Sequence, residues 1–259
     1  MSIRLRLLGA TCVVALTLTA AAEAPATQAW VERSNENAKL LLQVFAKYAP
    51  EGAGGLGVDG LDEQITDLSR DQFEPFNADA RAAIAELEQR LAAETDAKIK
   101  QDLEILINSA RDNLTTSALN RKHFFPFADV TGMMFGVVQQ TLDPRIPPER
   151  QAKLLVRLAK YAGQADGFRP IAELAKERTL ERIAADPKLM GPFKGEVEQA
   201  LNDGSTLRAG IKDLLKKSGL KGWEKSSKAL DRQLKDYNDW VAKFVLPKAR
   251  TSIRSQTTS

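Results

Sequence analysis

Apolar positions recur along most of the chain at spacings of three, four and seven residues, the period of helices that bury one stripe. The clearest stripe is the last, where Trp223, Leu230, Leu234, Tyr237, Val241, Phe244 and Val245 fall on one face of a helix expected from Trp223 to Arg250. Leu246-Pro247 is expected to stop or kink it, because Pro donates no helix hydrogen bond and restricts the residue before it. Upstream, the spacing predicts a helix over Trp30–Tyr48, ended by Ala49-Pro50-Glu51. Asn77 reads as the N-cap of a helix carrying Ile84, Leu87 and Leu91. Thr95 or Asp96 caps the next, with Ile99, Leu103, Leu106, Ile107, Ala110 and Leu114 on its stripe. The short gap between these two predicts an antiparallel hairpin. The apolar run Val130–Val138 fits a buried helix or a short strand, and its surroundings favour helix.

Pro147-Pro148-Glu149 is a helix start, and Leu154, Leu155, Leu158 and Ala162 form the inner face that follows. Arg169-Pro170 marks a break or kink, after which Ile171, Leu174, Ala175 and Ile183 continue to Asp186-Pro187. A helix over Leu189, Phe193, Val197, Ala200 and Leu201 is expected to end at Asn202-Asp203-Gly204. A short one over Leu207, Ile211, Leu214 and Leu215 should close at Ser218-Gly219. No segment alternates polar and apolar for the length of a strand, and no repeat recurs at a fixed period. The predicted fold is all-α: a bundle of helical hairpins with about eight to ten helices and no sheet.

The beginning of the chain departs from this pattern. Arg4 and Arg6 precede an apolar, small-residue run from Leu7 to Ala22, and Ala20-Ala21-Ala22 suits a signal peptidase. Residues 1–24 therefore read as a signal peptide with cleavage within 22–26, residues 25–250 as the helical domain, and residues 251–259 as a disordered tail. The expected location is secreted or periplasmic, with the membrane met only through an uncleaved signal. The run is short for a membrane anchor, which needs about 20 apolar residues. The one cysteine, Cys12, lies inside it, so the mature chain is expected to hold no disulfide and no thiolate.

Composition adds limits. With 43% hydrophobic and 27% charged residues in 259, the chain is neither disordered nor a multi-span membrane protein. Charge is uneven: residues 205–259 hold thirteen Lys and Arg against five Asp and Glu, a net of +8. With Arg4 and Arg6 also set aside, residues 23–204 carry −7. A basic terminal segment can bind nucleic acid, but in an exported protein the preferred readings are solvated lysine faces or a surface that meets an acidic one.

Candidate chemistry is sparse. The run Gly52–Gly57 spells G-x-G-x-x-G, but a helix precedes it and no helix directly follows, so it reads as a flexible loop rather than a dinucleotide turn. The single histidine, His123, cannot supply the His-Glu-x-x-His of a zinc peptidase, and no Gly-x-Ser-x-Gly elbow accompanies it. It reads first as a partly buried ring beside Phe124 and Phe125, and second as a ligand contact. Asp62, Glu63, Asp67 and Asp71 lie in polar sequence and read as solvated caps. Met133-Met134 reads as core. No catalytic and no metal-binding residue is assigned.

Three stretches carry a resemblance: Leu56 to Ser69 with its glycine-acid loop and Asp67-Leu68-Ser69 helix entry, Ile146 to Leu158, and Tyr237 to Arg250 with its Leu246-Pro247-Lys248-Ala249 ending. The order resembles the N-terminal half of the bacterial domain-of-unknown-function family 885, helical proteins that look like zinc oligopeptidases. In that family the His-Glu-x-x-His segment lies well past the helix that ends in Leu-Pro, and no counterpart stands in this sequence. The resemblance implies a non-catalytic half that forms the wall of a peptide channel or docks a catalytic half; zinc would come only with that half. It also implies His123, Phe124, Phe125 and Phe127 as channel-facing residues that contact peptide. Trp240 and Phe244 become the expected contacts to a partner chain, more exposed than aromatic residues usually are. The alternative is a stand-alone periplasmic interaction or structural protein.

Overall fold

The structure, a computed structural model, describes residues 25–252, with side chains from residue 29 onward. The signal peptide expected over 1–24, including Cys12, and residues 253–259 of the expected tail lie outside the described residues. Helix α1 spans Pro25–Tyr48 and starts five residues before Trp30. The glycine-rich run is not a loop: α2 spans Pro50–Gly55, with Pro50 in its first turn and Glu51 and Ala53 buried. Packing overrides the poor helix propensity of glycine here. A Cβ on Gly52 would meet the Phe45 ring at 2.7 Å, and one on Gly55 would collide with the Gln140 amide. The bare backbone of α2 thus lies flat against both side chains.

Helix α3 spans Phe73–Ala93 and begins before Asn77, which is buried inside it rather than capping it. The carboxylate of Asp71 accepts the Phe73 N–H at 3.0 Å and so supplies the capping bond upstream; Pro75 then falls in the first turn, where its missing N–H costs nothing. Helix α4 spans Ala97–His123 and is capped by Asp96, which accepts from the Lys98 N–H at 2.9 Å. The pair forms the expected hairpin, with Arg111 of α4 reaching Glu88 of α3 at 2.6 Å. Ile84, Leu87, Ile99, Leu103, Ile107 and Ala110 make a first core, onto which Trp30, Leu40 and Leu41 of α1 pack.

The second, larger core is built by α5 (Val130–Thr141), α7 (Leu154–Tyr161), α8 (Ile171–Ala185), α9 (Lys194–Lys217) and α10 (Glu224–Trp240), with the single turn α6 (Pro148–Gln151) leading into α7. The preferred helix over Val130–Val138 is therefore present. At Arg169-Pro170 the chain breaks fully: residues 162–170 are not helical, and Gly163 takes φ +67 with Pro170 packed so close that a Cβ would meet its nitrogen at 2.7 Å. The expected stop at Asn202-Asp203-Gly204 does not occur. One continuous helix, α9, replaces two, and Leu189 stays outside it. Gly204 is buried where α10 crosses, 2.3 Å from the Asn238 amide once a Cβ is added; its bareness serves close helix packing rather than a turn. Ser218-Gly219 closes α9 as expected, with Gly219 at φ +74.

Beyond Trp240 the terminal helix widens, with the Leu246 N–H donating to the Val241 carbonyl, and then tightens into a last turn over Leu246–Lys248. That is the kink Pro247 imposes by lacking an N–H. Among the described residues there is no strand; two isolated bridges join Phe124 to Met190 and Phe193 to Arg250. No described helix is long and apolar enough to cross a membrane. The all-α bundle is thus the fold.

Candidate functional site

The segment between α4 and α5 was the place where aromatic residues crowd, and Pro126 keeps it out of helix. Its backbone is pinned at its start by Met190. The Phe125 N–H donates to the Met190 carbonyl at 3.1 Å, and the Met190 N–H to the His123 carbonyl at 2.9 Å. Asp129 then caps α5 by accepting the Gly132 N–H at 2.9 Å. The four expected ligand contacts diverge. His123 is exposed at the end of α4, edge-on to Phe124, rather than partly buried; the last turn of α4 projects it past the packed surface. Phe124 is half-buried beneath the Arg250 guanidinium, 4.8 Å from its ring. Phe125 is 3% exposed and belongs to the larger core. Phe127 lines a cavity.

That cavity has a volume of about 270 Å³. One wall is α8, whose Ala175, Arg178, Thr179 and Arg182 follow at helical spacing on a single face. The lining also takes Leu68, Arg70, Asp71, Gln72 and Phe73 from the segment leading into α3, and Arg121, Pro126, Phe127 and Ala128 from the end of α4 and the aromatic segment. Two side chains latch α8 to the aromatic segment. The Thr179 hydroxyl donates to the Pro126 carbonyl at 2.8 Å, and Arg182 Nη2 to the Arg121 carbonyl at 2.7 Å.

Four guanidinium groups face two carboxylates in the lining. Arg121 pairs with Asp71 and lies 5.0 Å above the Phe73 ring; Arg178 pairs with Glu181 at 2.6 Å. Arg70 reaches Asp67, outside the lining, at 3.8 Å. Among the described residues Arg182 pairs with no carboxylate, and the buried Nε atoms of Arg178 and Arg182 have no hydrogen-bond partner. Burial pushes the Asp71 carboxyl up, yet the Phe73 amide and the Arg121 and Arg182 charges outweigh it and hold the group below its ordinary value. Asp67 shows the same balance: burial raises it, and Ser69, Arg70 and Arg178 bring it lower. The lining thus joins an arginine cluster to an aromatic and aliphatic wall, with Asp67 and Glu177 paired to Arg70 and Arg178 just outside it.

A second polar centre lies where α2 meets α7. Glu51, 8% exposed, accepts from the Tyr161 hydroxyl at 2.6 Å, the Thr66 N–H at 2.8 Å and the Thr66 hydroxyl at 2.7 Å. Arg157, also buried, donates to the carbonyls of Leu61 and Gln64 at 2.8 and 3.0 Å. Lys160 caps the Glu63 carbonyl at 2.7 Å, and Arg150 grips Asp62 with two bonds of 2.9 Å. Together these hold the irregular segment 61–72 against α6 and α7. The Asp62 and Glu63 side chains are therefore ion-paired, Glu63 with Lys153, whereas Asp67 and Asp71 do cap turns by accepting the Ser69 and Phe73 amides. The sequence reading missed Glu51, Arg157 and Tyr161. The signal was present: Leu154, Arg157, Leu158 and Tyr161 make one buried stripe, and a charge on such a stripe needs a partner.

The zinc implied by the resemblance has no ligand set among the described residues, where no three His, Cys, Asp or Glu side chains are gathered to hold a metal ion. Trp240 and Phe244 are not exposed as expected. Their rings stack at 5.3 Å, half-buried on the larger core, with Lys176 over one and Lys248 over the other. Among the described residues the large apolar side chains left most exposed are Leu56, Ile105 and Leu119.

Residues 50–257 match a family model described as "Bacterial protein of unknown function (DUF885)". No curated protein and no solved structure matches the chain.

Proposed function

We propose, for a chain that belongs to the DUF885 family of bacterial proteins, that it is an exported helical domain that holds extended peptides without cleaving them. In this reading it corresponds to the non-catalytic N-terminal half of a zinc-oligopeptidase-like protein, as the wall of a peptide channel or as the half that docks a catalytic one. The observation that carries the reading is the cavity along α8, where guanidinium groups and the Phe73 and Phe127 rings share one small concave surface. Peptides offer the matching chemistry, anionic groups beside apolar side chains, and concave sites with a few fixed polar groups are the usual form of a binding site. The basic n-region and the apolar run Leu7–Ala22 support export.

Titration of fluorescently labelled peptides into the purified chain tests the proposal. Saturable binding that weakens when Phe127 is replaced by Ala is the expected result. Binding unaffected by Phe127→Ala, or no binding at all, refutes the peptide role. One observation favours the stand-alone alternative over docking of a catalytic half: the Trp240–Phe244 stack is already covered within this chain. A chain that stays monomeric and binds peptide alone would support a self-sufficient binding protein.

A further inference from the structure

We infer that the α8 cavity is a carboxylate site in which Arg178 and Arg182 grip the anion while Phe127 and Phe73 cover the apolar group next to it. The inference rests on the peptide reading above and names the group recognised.

Arg178 and Arg182 stand one helical turn apart on the same face of α8. Each has an Nη1 with no hydrogen-bond partner among the described residues that, unlike its sealed Nε, is not closed off from the surface. A carboxylate suits such a pair, since its two oxygens can bridge two guanidinium groups. The other bonds of these side chains position them for this. Glu181 takes Nη2 of Arg178, and the Arg121 carbonyl takes Nη2 of Arg182. Arg182 makes no direct ion pair among the described residues, but its charge acts on Asp71 in the same lining, so an incoming anion would share Arg182 with that carboxylate.

Size and wall chemistry narrow the ligand. At about 270 Å³ the cavity falls below the range of about 300–1,000 Å³ typical of larger ligands. It suits a carboxylate with one apolar side chain rather than a nucleotide. The wall formed by Leu68, Phe73, Phe127 and Ala175 would be wasted on a bare inorganic anion. A peptide can offer such a carboxylate from its C-terminus or from an acidic side chain beside an apolar residue.

The test uses the whole chain and three fluorescent peptides ending in Leu-Phe: the free acid, the amide, and an amide with an internal Glu. N-acetylphenylalanine and inorganic phosphate serve as small competitors. The free acid is expected to bind about tenfold tighter than the plain amide, the scale of one lost charge-assisted contact. Arg178→Gln and Arg182→Gln should each reduce the acid toward the amide while leaving the amide unchanged. Circular dichroism confirms that the variants fold, and Arg182→Lys should recover part of the loss. Recovery of acid-like affinity by the internal-Glu amide would identify a side-chain carboxylate as the source; no recovery identifies the C-terminus. Equal binding of acid and amide would overturn the inference and leave the peptide reading standing. N-acetylphenylalanine binding without any peptide binding would do the reverse. Phosphate competing more strongly than N-acetylphenylalanine would overturn the carboxylate assignment, and no binding of any probe would sink both ideas.

Discussion

Tyr161 and Glu51 share a hydrogen bond of 2.6 Å, and the tyrosine ring has no contact with water. Removing the hydroxyl as Tyr161→Phe leaves the buried carboxylate with only its Thr66 bonds. The expected loss is about 1.5–3 kcal/mol in urea unfolding, the range for one hydrogen bond to a charged group. The same residue predicts behaviour in alkali. Burial first, then the neighbouring Glu51 charge, raises the Tyr161 hydroxyl well above the ordinary phenol value, and burial raises Tyr237 as well. A group whose pKa is higher folded than unfolded stabilises the fold below its unfolded value and loses that contribution as pH rises past it. Above about pH 10 the unfolded chain releases protons that the folded one retains, so stability should fall with rising pH. A pH series of melting temperatures for wild type and Tyr161→Phe checks this; the variant should show a shallower decline. An equally steep decline in both would remove Tyr161 from the account. The stripe through Arg157 and Tyr161 was legible in the sequence, but its partner was not. Glu51 reads there as a residue that merely follows a helix-ending proline. Arg178 and Arg182 were hidden for a related reason. Among Glu177 and Glu181 they look like a solvated, salt-bridged helix face, and only the fold turns that face toward Phe73 and Phe127.

At the scale of elements, α9 shows how packing overrules local signals. Asn202-Asp203-Gly204 has the composition of a turn, yet the helix runs through it because α10 crosses closely at Gly204. The crossing is held by Asn238, whose side-chain carbonyl accepts from Thr131 of α5 at 3.2 Å, so one side chain joins three helices. Gly204→Ala sets two effects against each other. Alanine favours a helix interior over glycine by about 1 kcal/mol, while its Cβ would stand 2.3 Å from the Asn238 amide nitrogen. The displaced amide would lose its bond to Thr131, and overpacking of this kind costs about 1–3 kcal/mol. Net destabilisation is therefore expected in the wild-type background. In an Asn238→Ala background the same substitution should be neutral or stabilising, because the obstruction is gone. A double-mutant cycle measured by chemical denaturation resolves the two terms. Additive effects would show that the crossing at Gly204 does not restrict side-chain volume. Where the sequence reading succeeded, at Asp96, Asp186-Pro187 and Ser218-Gly219, the capping residue needed only its own helix. Where it failed, at Gly52–Gly55, Asn77 and Gly204, a contact far away in sequence decided the outcome.

The described residues form two hydrophobic cores of unequal size linked by an irregular strip of chain. The first core has six buried residues from α3 and α4, the second twenty-one from Phe125 to Val245. Between Leu61 and Gln72 the strip lacks regular backbone bonding and depends on side chains from several helices: Arg150, Arg157 and Lys160 on one side, Arg121 on the other. Its charged anchors make it the part most sensitive to acid. Hydrogen bonding to Arg150 holds the Asp62 carboxyl below its ordinary value; at Asp71 the Phe73 amide and Arg121 prevail over burial to the same effect. For a group whose pKa is lower folded than unfolded, stability is present above the unfolded value, about 4 for aspartate, and is lost as pH falls through the folded one. Near neutral pH the strip should hold firm. Below about pH 4 it should loosen before either core melts, since the leucine and isoleucine packing carries no proton dependence. Limited proteolysis across pH 7 to 3, with an acid-active protease at the low end, would show cleavage appearing first between residues 61 and 72. Asp62→Asn should move that onset toward neutral pH by removing one anchor in advance. Cleavage beginning instead within α3 or α9 would place the acid-sensitive joint elsewhere. Because Leu68 and residues 70–73 line the α8 cavity, the same loosening should weaken peptide binding over that pH range while far-UV circular dichroism still reports an intact bundle.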